Sequence, residues 1–150
     1  MNQKIILCFF SILVLATACT TTAPEFVVTF DGNSCIAEGP SEVLPGEYTF
    51  KFIDKSDIPG KLWLHYIDEG ITFQDHLDLQ SEPGEWYEKP SWAHFGSRLS
   101  EEFEETDESK VAISVWNLDN VKEYTIMCYV NYPRYLWFAA PIFVVETLSD

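Results

Sequence analysis

The chain of 150 residues carries a formal net charge of −15, and hydrophobic residues make up 47% of it. This length suits a single domain with its own core, and the aromatic share of 15% favours strands over helices. The negative charge argues against binding to nucleic acid and against docking on an anionic membrane through a basic patch.

The N-terminal segment has the composition of a signal peptide. Residues 1–18 hold a lysine near the start, a short apolar run over 5–16 and small residues before Cys19. The stretch Leu-Ala-Thr-Ala-Cys over 15–19 resembles the lipobox of bacterial lipoproteins, in which cleavage leaves the cysteine as a lipidated N-terminus. The resemblance implies an exported protein of the bacterial cell envelope, lipidated at Cys19, with 19–25 as the lipidated cysteine and linker. Ordinary secretion with a free Cys19 is the alternative.

Two cysteines remain in the exported part of the chain. Cys8 leaves with the leader and Cys19 takes the lipid, so only Cys35 and Cys128 are left. Exported domains usually pair their cysteines. We therefore predict a disulfide between Cys35 and Cys128.

Alternating apolar and polar residues predict short strands along most of the chain. The predicted strands cover 26–30, 34–37, 47–53, 61–67, 110–116, 124–130 and 136–146. In the third of them Tyr48, Phe50 and Phe52 share one face. Pro141 predicts an edge position or a bulge in the last strand.

One short helix is predicted over 72–80, because Thr72 and Asp75 fit a capping box. Ile71 and Leu77 are expected to dock this helix on the sheet and to leave His76 outward. Residues 81–109, rich in Pro, Gly and Glu, are predicted to be irregular. About seven strands with one short helix over 26–146 indicate an all-β, two-sheet β-sandwich.

The last part of the predicted sandwich combines a strand that ends near a cysteine, a short loop and a closing strand. Tyr124-Thr-Ile-Met-Cys128, the loop over 129–135 and the strand 136–146 resemble the closing part of the cupredoxin superfamily fold, and the resemblance covers residues 26–146. Asp-Gly-Asn-Ser-Cys-Ile-Ala-Glu-Gly-Pro over 31–40 matches the start of small cupredoxin-like bacterial lipoproteins. The resemblance implies a Greek-key sandwich in which Cys128 ligates type 1 copper.

The ligand set departs from the cupredoxin pattern. Asn131 stands where an imidazole is expected, and Lys61 stands where the first histidine is expected. We therefore predict a degenerate type 1 copper site, no metal and no cofactor, with Cys128 serving as a disulfide partner. A divergent copper-binding or electron-transfer cupredoxin is the alternative.

The function predicted from the sequence is non-catalytic binding. No nucleophile, phosphate-binding or zinc-protease motif is present, so no catalytic residues are predicted. His65, His76 and His94 share no ligand spacing and are expected to be unconnected.

Aromatic side chains on two loops form the candidate binding face for a small molecule or a protein partner. Its residues are Trp86, Tyr87, Trp92, His94, Tyr132, Tyr135 and Trp137. Alternatively, these rings cover the end of the sandwich as a second small core.

Overall fold

The computed structural model describes residues 25–80, 82–99, 104–106, 109–118, 122–131 and 135–148. The leader, Cys19, most of the predicted linker and Tyr132 lie outside these residues. The elements, in chain order, are β1 Glu25–Phe30, β2 Cys35–Glu38, β3 Glu42–Val43, β4 Gly46–Asp54, β5 Gly60–Ile67, α1 Phe73–Asp78, β6 Ala93–Leu99, β7 Glu104–Thr106, β8 Ser109–Leu118, β9 Glu123–Val130 and β10 Tyr135–Val144. In this described part, no helix is long and apolar enough to cross a membrane.

The described strands form two sheets of five. The first sheet has the order β2-β1-β4-β8-β7 and the second has the order β3-β10-β9-β5-β6. β1 runs parallel to β4 and β3 runs parallel to β10, whereas the other neighbours are antiparallel. Because β2 and β3 follow each other closely but join different sheets, this stretch ties the two sheets together at one side. The predicted all-β, two-sheet sandwich is confirmed.

Aromatic rings fill the core between the sheets. Phe50 stacks on Phe26 with ring centroids 4.6 Å apart and on Trp116 with centroids 4.4 Å apart. Tyr48 and Phe52 are buried in the same cluster, so the predicted alternation of β4 is confirmed. The second sheet contributes buried side chains from β5, β9 and β10, namely Leu62, Leu64, Tyr124, Ile126, Cys128, Val130, Trp137, Ile142 and Val144.

β8 turns its β-branched stripe to solvent. Ile113 and Val115 are 64% and 59% exposed, whereas Ala112 and Trp116 are buried. The register with β4 explains this, because Trp116 lies directly opposite Tyr48, and opposite residues of paired strands share a face. The inward rings of β4 therefore fix which face of β8 is buried.

Three strands were not predicted from the sequence: β3, β6 and β7. Two of them lie within 81–109, so the prediction of an irregular segment there is wrong for 93–99 and 104–106. β6 pairs with β5 across a bulge at Gly96, since Leu64 pairs with Ser97 while His65 pairs with Phe95. A glycine inside a strand breaks the alternation by which strands are recognised.

The closing strand β10 has an irregular register between Phe138 and Ala140, close to Pro141. A proline cannot donate a ladder hydrogen bond, so it favours such a position. Of the two predicted alternatives, an edge position or a bulge, the irregular register fits the bulge, although Pro141 itself pairs with Thr125.

The helix α1 begins as predicted but docks through a different face. The Thr72 amide and hydroxyl donate to Asp75 Oδ2 at 2.7 Å and 2.9 Å. His76, expected outward, is fully buried, while Leu77 is 37% exposed. The reason is local, because the ring of His76 hydrogen-bonds Tyr87 and packs among other rings.

Truncating a side chain on the inner face of the first sheet should lower stability far more than truncating one on its outer face. Phe50→Ala is expected to lower the free energy of unfolding by about 3–5 kcal/mol, because it leaves a cavity in the core. Ile113→Ala on the outer face should change it by less than about 0.5 kcal/mol. Urea denaturation measures both, and an equal loss at the two positions would contradict the assigned face of β8.

Candidate functional site

Cys35 and Cys128 form a disulfide that crosses the sandwich. Cys35 opens β2 in the first sheet, Cys128 lies near the end of β9 in the second sheet, and their Cα atoms are 5.7 Å apart. The separation of 93 positions means that the bond closes most of the domain into one loop. The predicted disulfide is confirmed, and it indicates an oxidising, extracytoplasmic environment.

The disulfide occupies the sulfur that a type 1 copper site would need as a thiolate. Cys128 is fully buried, and Leu62 of β5 and Trp137 of β10 lie opposite it in the sheet. Lys61 pairs with Tyr129, one position further along. The described residues contain no group of three or more His, Cys, Asp or Glu side chains placed to hold a metal ion.

The structure divides the predicted binding face instead of presenting it as one surface. Trp86 is 63% exposed and Tyr135 is 37% exposed, whereas Tyr87 and Trp137 are buried. Trp137 packs on Phe30 with ring centroids 4.9 Å apart. The burial of these two rings fits the alternative in which aromatic residues cover the sandwich.

Two other residues of the predicted face, Trp92 and His94, contact a buried histidine and a carboxylate, respectively. The half-buried Trp92 meets the ring of His76 edge to face at 4.8 Å. His94 stacks on Tyr66 at 5.0 Å, and its Nε2 lies 2.8 Å from a carboxylate oxygen of Asp68.

A cleft of about 410 Å³ opens at the end of the sandwich where β10 begins, and we call it the end cleft. Its lining comprises Asp31, Gly32, Asn33, Ser56, Asp57, Ile58, Pro83, Gly84, Val130, Tyr135 and Trp137. Two carboxylates and two aromatic rings face this space, and the described residues that line it include no basic side chain. A volume in this range suits a small ligand.

Hydrogen bonds within two turns fix the carboxylate side of the end cleft. Asp31 Oδ1 accepts from the amides of Asn33 and Ser34 at 2.8 Å and 2.7 Å. These bonds hold the pKa of the Asp31 carboxyl below its usual range, so it stays charged. Asp54 similarly accepts from the amides of Ser56 and Gly60 at 2.9 Å and 2.7 Å.

Gly84 fixes the aromatic side of the end cleft. Its φ of 78° lies in the left-handed region, and a Cβ there would come within 2.6 Å of the Trp137 ring. Its amide donates to the carbonyl of Leu136 at 3.0 Å. The segment at 84 therefore lies against the indole with no room for a side chain.

A larger cleft of about 580 Å³ lies near Tyr66 and Glu123, but three of its charged side chains already interact with other residues of the domain. Asp68 pairs with His94, and Glu123 accepts from the Phe73 amide at 2.6 Å. Lys122 lies over the Tyr66 ring, 4.2 Å from its centroid.

The outer face of the second sheet carries a buried group that we call the histidine cluster: His65, His76, Tyr87 and Thr125. His65 of β5 lies opposite Thr125 of β9, and His76 of α1 covers this face. The centroids of the two imidazole rings are 6.1 Å apart. His76 Nδ1 is hydrogen-bonded to the Tyr87 hydroxyl at 2.7 Å.

The histidine cluster corrects the expectation of three unconnected histidines. The sequence of β5 indicates that its outward face is covered by other residues, because His65 shares that face with Trp63 and Ile67, two large apolar side chains. The nearly continuous apolar run of β9 gives the same signal, since strands buried on both faces lose their alternation.

Burial keeps both histidines neutral. Burial, with smaller contributions from the neighbouring His76, Lys89 and His94, lowers the pKa of His65 to about 3. Burial also lowers the pKa of His76 to about 4, against a smaller opposing effect of Asp75. Both imidazoles are therefore unprotonated at neutral pH and keep a nitrogen lone pair.

Comparison of this chain with family models, curated proteins and solved structures finds no match. Function is therefore inferred from the geometry and chemistry of the chain's own residues.

The neutral histidines predict a fall in stability on acidification. Between about pH 6.5 and about pH 4 the unfolded chain binds protons that the folded chain does not. The stabilisation is complete above this window, and each histidine removes about 1.4 kcal/mol per pH unit as the pH falls through it. Urea denaturation at a series of pH values measures the slope. His76→Leu should reduce the slope, and an unchanged slope in this variant would contradict the prediction.

Proposed function

We propose that this protein is a lipid-anchored, extracytoplasmic binding module with a cupredoxin-like sandwich and no type 1 copper. The single observation that carries the proposal is the buried Cys35–Cys128 disulfide, which replaces the thiolate at the expected copper position. The strand pair β9 and β10, joined by a short loop after Cys128, supports the cupredoxin-like reading.

The lipid anchor is proposed from Cys19 and the leader. The disulfide supports export, and a lipidated cysteine would leave no exposed thiol outside the cell. The domain would then stand on a short tether, free to meet soluble ligands or another protein at the envelope.

The ligand proposed for the end cleft is a small organic cation. Asp31 and Asp57 supply negative charge, and Tyr135 supplies a partly exposed ring face. Aromatic faces and carboxylates together attract ammonium groups, and the net charge of −15 favours approach of cations. We propose binding of this cation as the role of the end cleft.

Replacement of the proposed lipid site tests the anchor. The native chain is expected in the membrane fraction, with an N-terminal peptide whose mass includes acyl chains on Cys19. Cys19→Ser should abolish the lipid, because the serine hydroxyl cannot form the thioether that carries it. Cys8→Ser is the matched control and should leave the lipid in place. An unmodified Cys19 in the native chain would contradict the anchor.

Choline and its neutral isostere, 3,3-dimethylbutanol, test the end cleft. Choline should bind saturably in an NMR titration and shift the resonances of Tyr135 and Trp137, because only the charged probe gains from the carboxylates. Asp57→Asn and Tyr135→Leu should each weaken binding several-fold.

Trp86→Leu is the control for the choline titration, since Trp86 is exposed but lies outside the lining of the end cleft. Equal binding of both probes, or no binding of choline, would sink the assignment of a cationic ligand. Neither outcome bears on the anchor.

A further inference from the structure

The histidine cluster contains buried polar atoms that the protein leaves without a hydrogen-bond partner. His76 Nε2 and Thr125 Oγ1 are both inaccessible to solvent and unpartnered. A buried polar atom left alone costs free energy, and such atoms mark places where an ion or water belongs. Both atoms lie on the outer face of the second sheet, beside the ring of His65.

We propose that His65 and His76 bind a soft monovalent cation, copper(I), in a two-coordinate site on the outer face of the second sheet. This site does not involve Cys128 and is separate from the end cleft, so it stands independently of the proposed function. It also departs from the expectation, drawn from the sequence, that no metal is bound.

The separation of the rings fits an ion between them. Two metal–nitrogen bonds of about 2 Å, together with the radii of two imidazole rings, place the ring centres about 6 Å apart in a nearly linear arrangement. The observed distance between the centroids is 6.1 Å. Imidazole is a good ligand for copper, and copper(I) accepts two such ligands without further donors.

Tyr87 prepares His76 for this role. Its hydroxyl lies 2.7 Å from His76 Nδ1, and Tyr87 itself is buried. A hydrogen bond at one ring nitrogen fixes the orientation of an imidazole and leaves the other nitrogen for a metal. Tyr87 is therefore a positioning residue of the site.

The charge of the surroundings selects a monovalent ion. Among the described residues Asp54 is the only buried carboxylate, and it lies in β4 of the first sheet, where it accepts from the Gly60 amide. A divalent ion at the histidine cluster would bury two charges with no buried carboxylate beside it, at a high cost in free energy.

Soft and aromatic groups surround the site. Trp92 and Phe138 have ring centroids 4.8 Å and 4.9 Å from that of His76, and Trp63 stacks on His65 at 5.9 Å. Aromatic faces stabilise a cation. Met127, whose thioether is a soft group, is fully buried in the same small core as Tyr87.

The helix α1 gives the ion a way in. It has only six residues. Hydrogen bonds hold the chain at both ends of the helix to the sheet: the Phe73 amide donates to the Glu123 carboxylate at 2.6 Å, and the Gln80 side-chain amide donates to the Leu136 carbonyl at 2.7 Å. A helix this short has little stability of its own. Its local opening would expose His76 while the disulfide-linked sandwich stays folded.

Titration with silver(I), a redox-inert ion of the same charge and softness, tests the site, followed by copper(I) under anaerobic conditions. The full chain carries Cys8→Ser and Cys19→Ser so that, with Cys35 and Cys128 oxidised, no free thiol competes. One ion per chain is expected to bind, to quench tryptophan fluorescence and to shift the NMR resonances of His65 and His76 but not those of His94.

His76→Leu should weaken silver(I) binding by more than about 100-fold, because even loss of a residue that only supports a metal ligand costs up to about that much. His94→Gln is the matched control and should bind as the parent does. If His76→Leu does not fold, the histidine resonances of the parent chain decide the question alone. Absence of saturable binding, unchanged resonances of His65 and His76, or zinc(II) binding as tightly as silver(I) would each overturn the proposal.

Discussion

The bond between Cys35 and Cys128 is the constraint on which the rest of the structure depends. It joins the first sheet to the second across the core, beside the edge where β2 and β3 pass from one sheet to the other. A covalent link over so long a loop lowers the conformational entropy of the unfolded chain. In the loop-entropy model this stabilises the folded state by about 4–5 kcal/mol. The bond also leaves Cys128 without a thiolate that could bind a metal, so any ligand must be held by other side chains.

The second sheet is covered on both faces, and this determines where polar residues can act. Its inner face packs on the phenylalanines of the first sheet, while its outer face lies under α1 and the segment containing Tyr87. Polar side chains on β5 and β9 therefore become buried without reaching solvent, as His65 and Thr125 show. The neutrality of His65 follows from desolvation. Clefts large enough for a small ligand lie instead at the ends of the strands, where loops meet.

Most of the fold could be predicted from the sequence, because period-two alternation is a local signal. The rings of β4 and the pairing of the two cysteines follow from that signal and from cysteine arithmetic. Which face of β8 and of α1 is buried could not be predicted in this way, because it depends on the element against which each one packs. Ile113 is more apolar than Ala112, yet the register with β4 turns it outward.

The candidate sites were harder to predict than the fold, for the same reason. His65 and His76 are eleven positions apart in different elements, so no ligand spacing marks them, and only the docking of α1 on the sheet brings their rings together. The end cleft likewise combines turns near 31 and 57 with Tyr135.

Both sites share one physical property, which is that the protein holds their walls in place before any ligand arrives. Gly84 lies against Trp137 and the Asp31 turn is closed by its own amides, while Tyr87 orients His76. Groups that are already ordered lose little entropy on binding. The end cleft, open to solvent and negative, then suits ligands that exchange quickly. The histidine cluster, closed and nearly uncharged, suits one ion that enters only when α1 opens and leaves slowly.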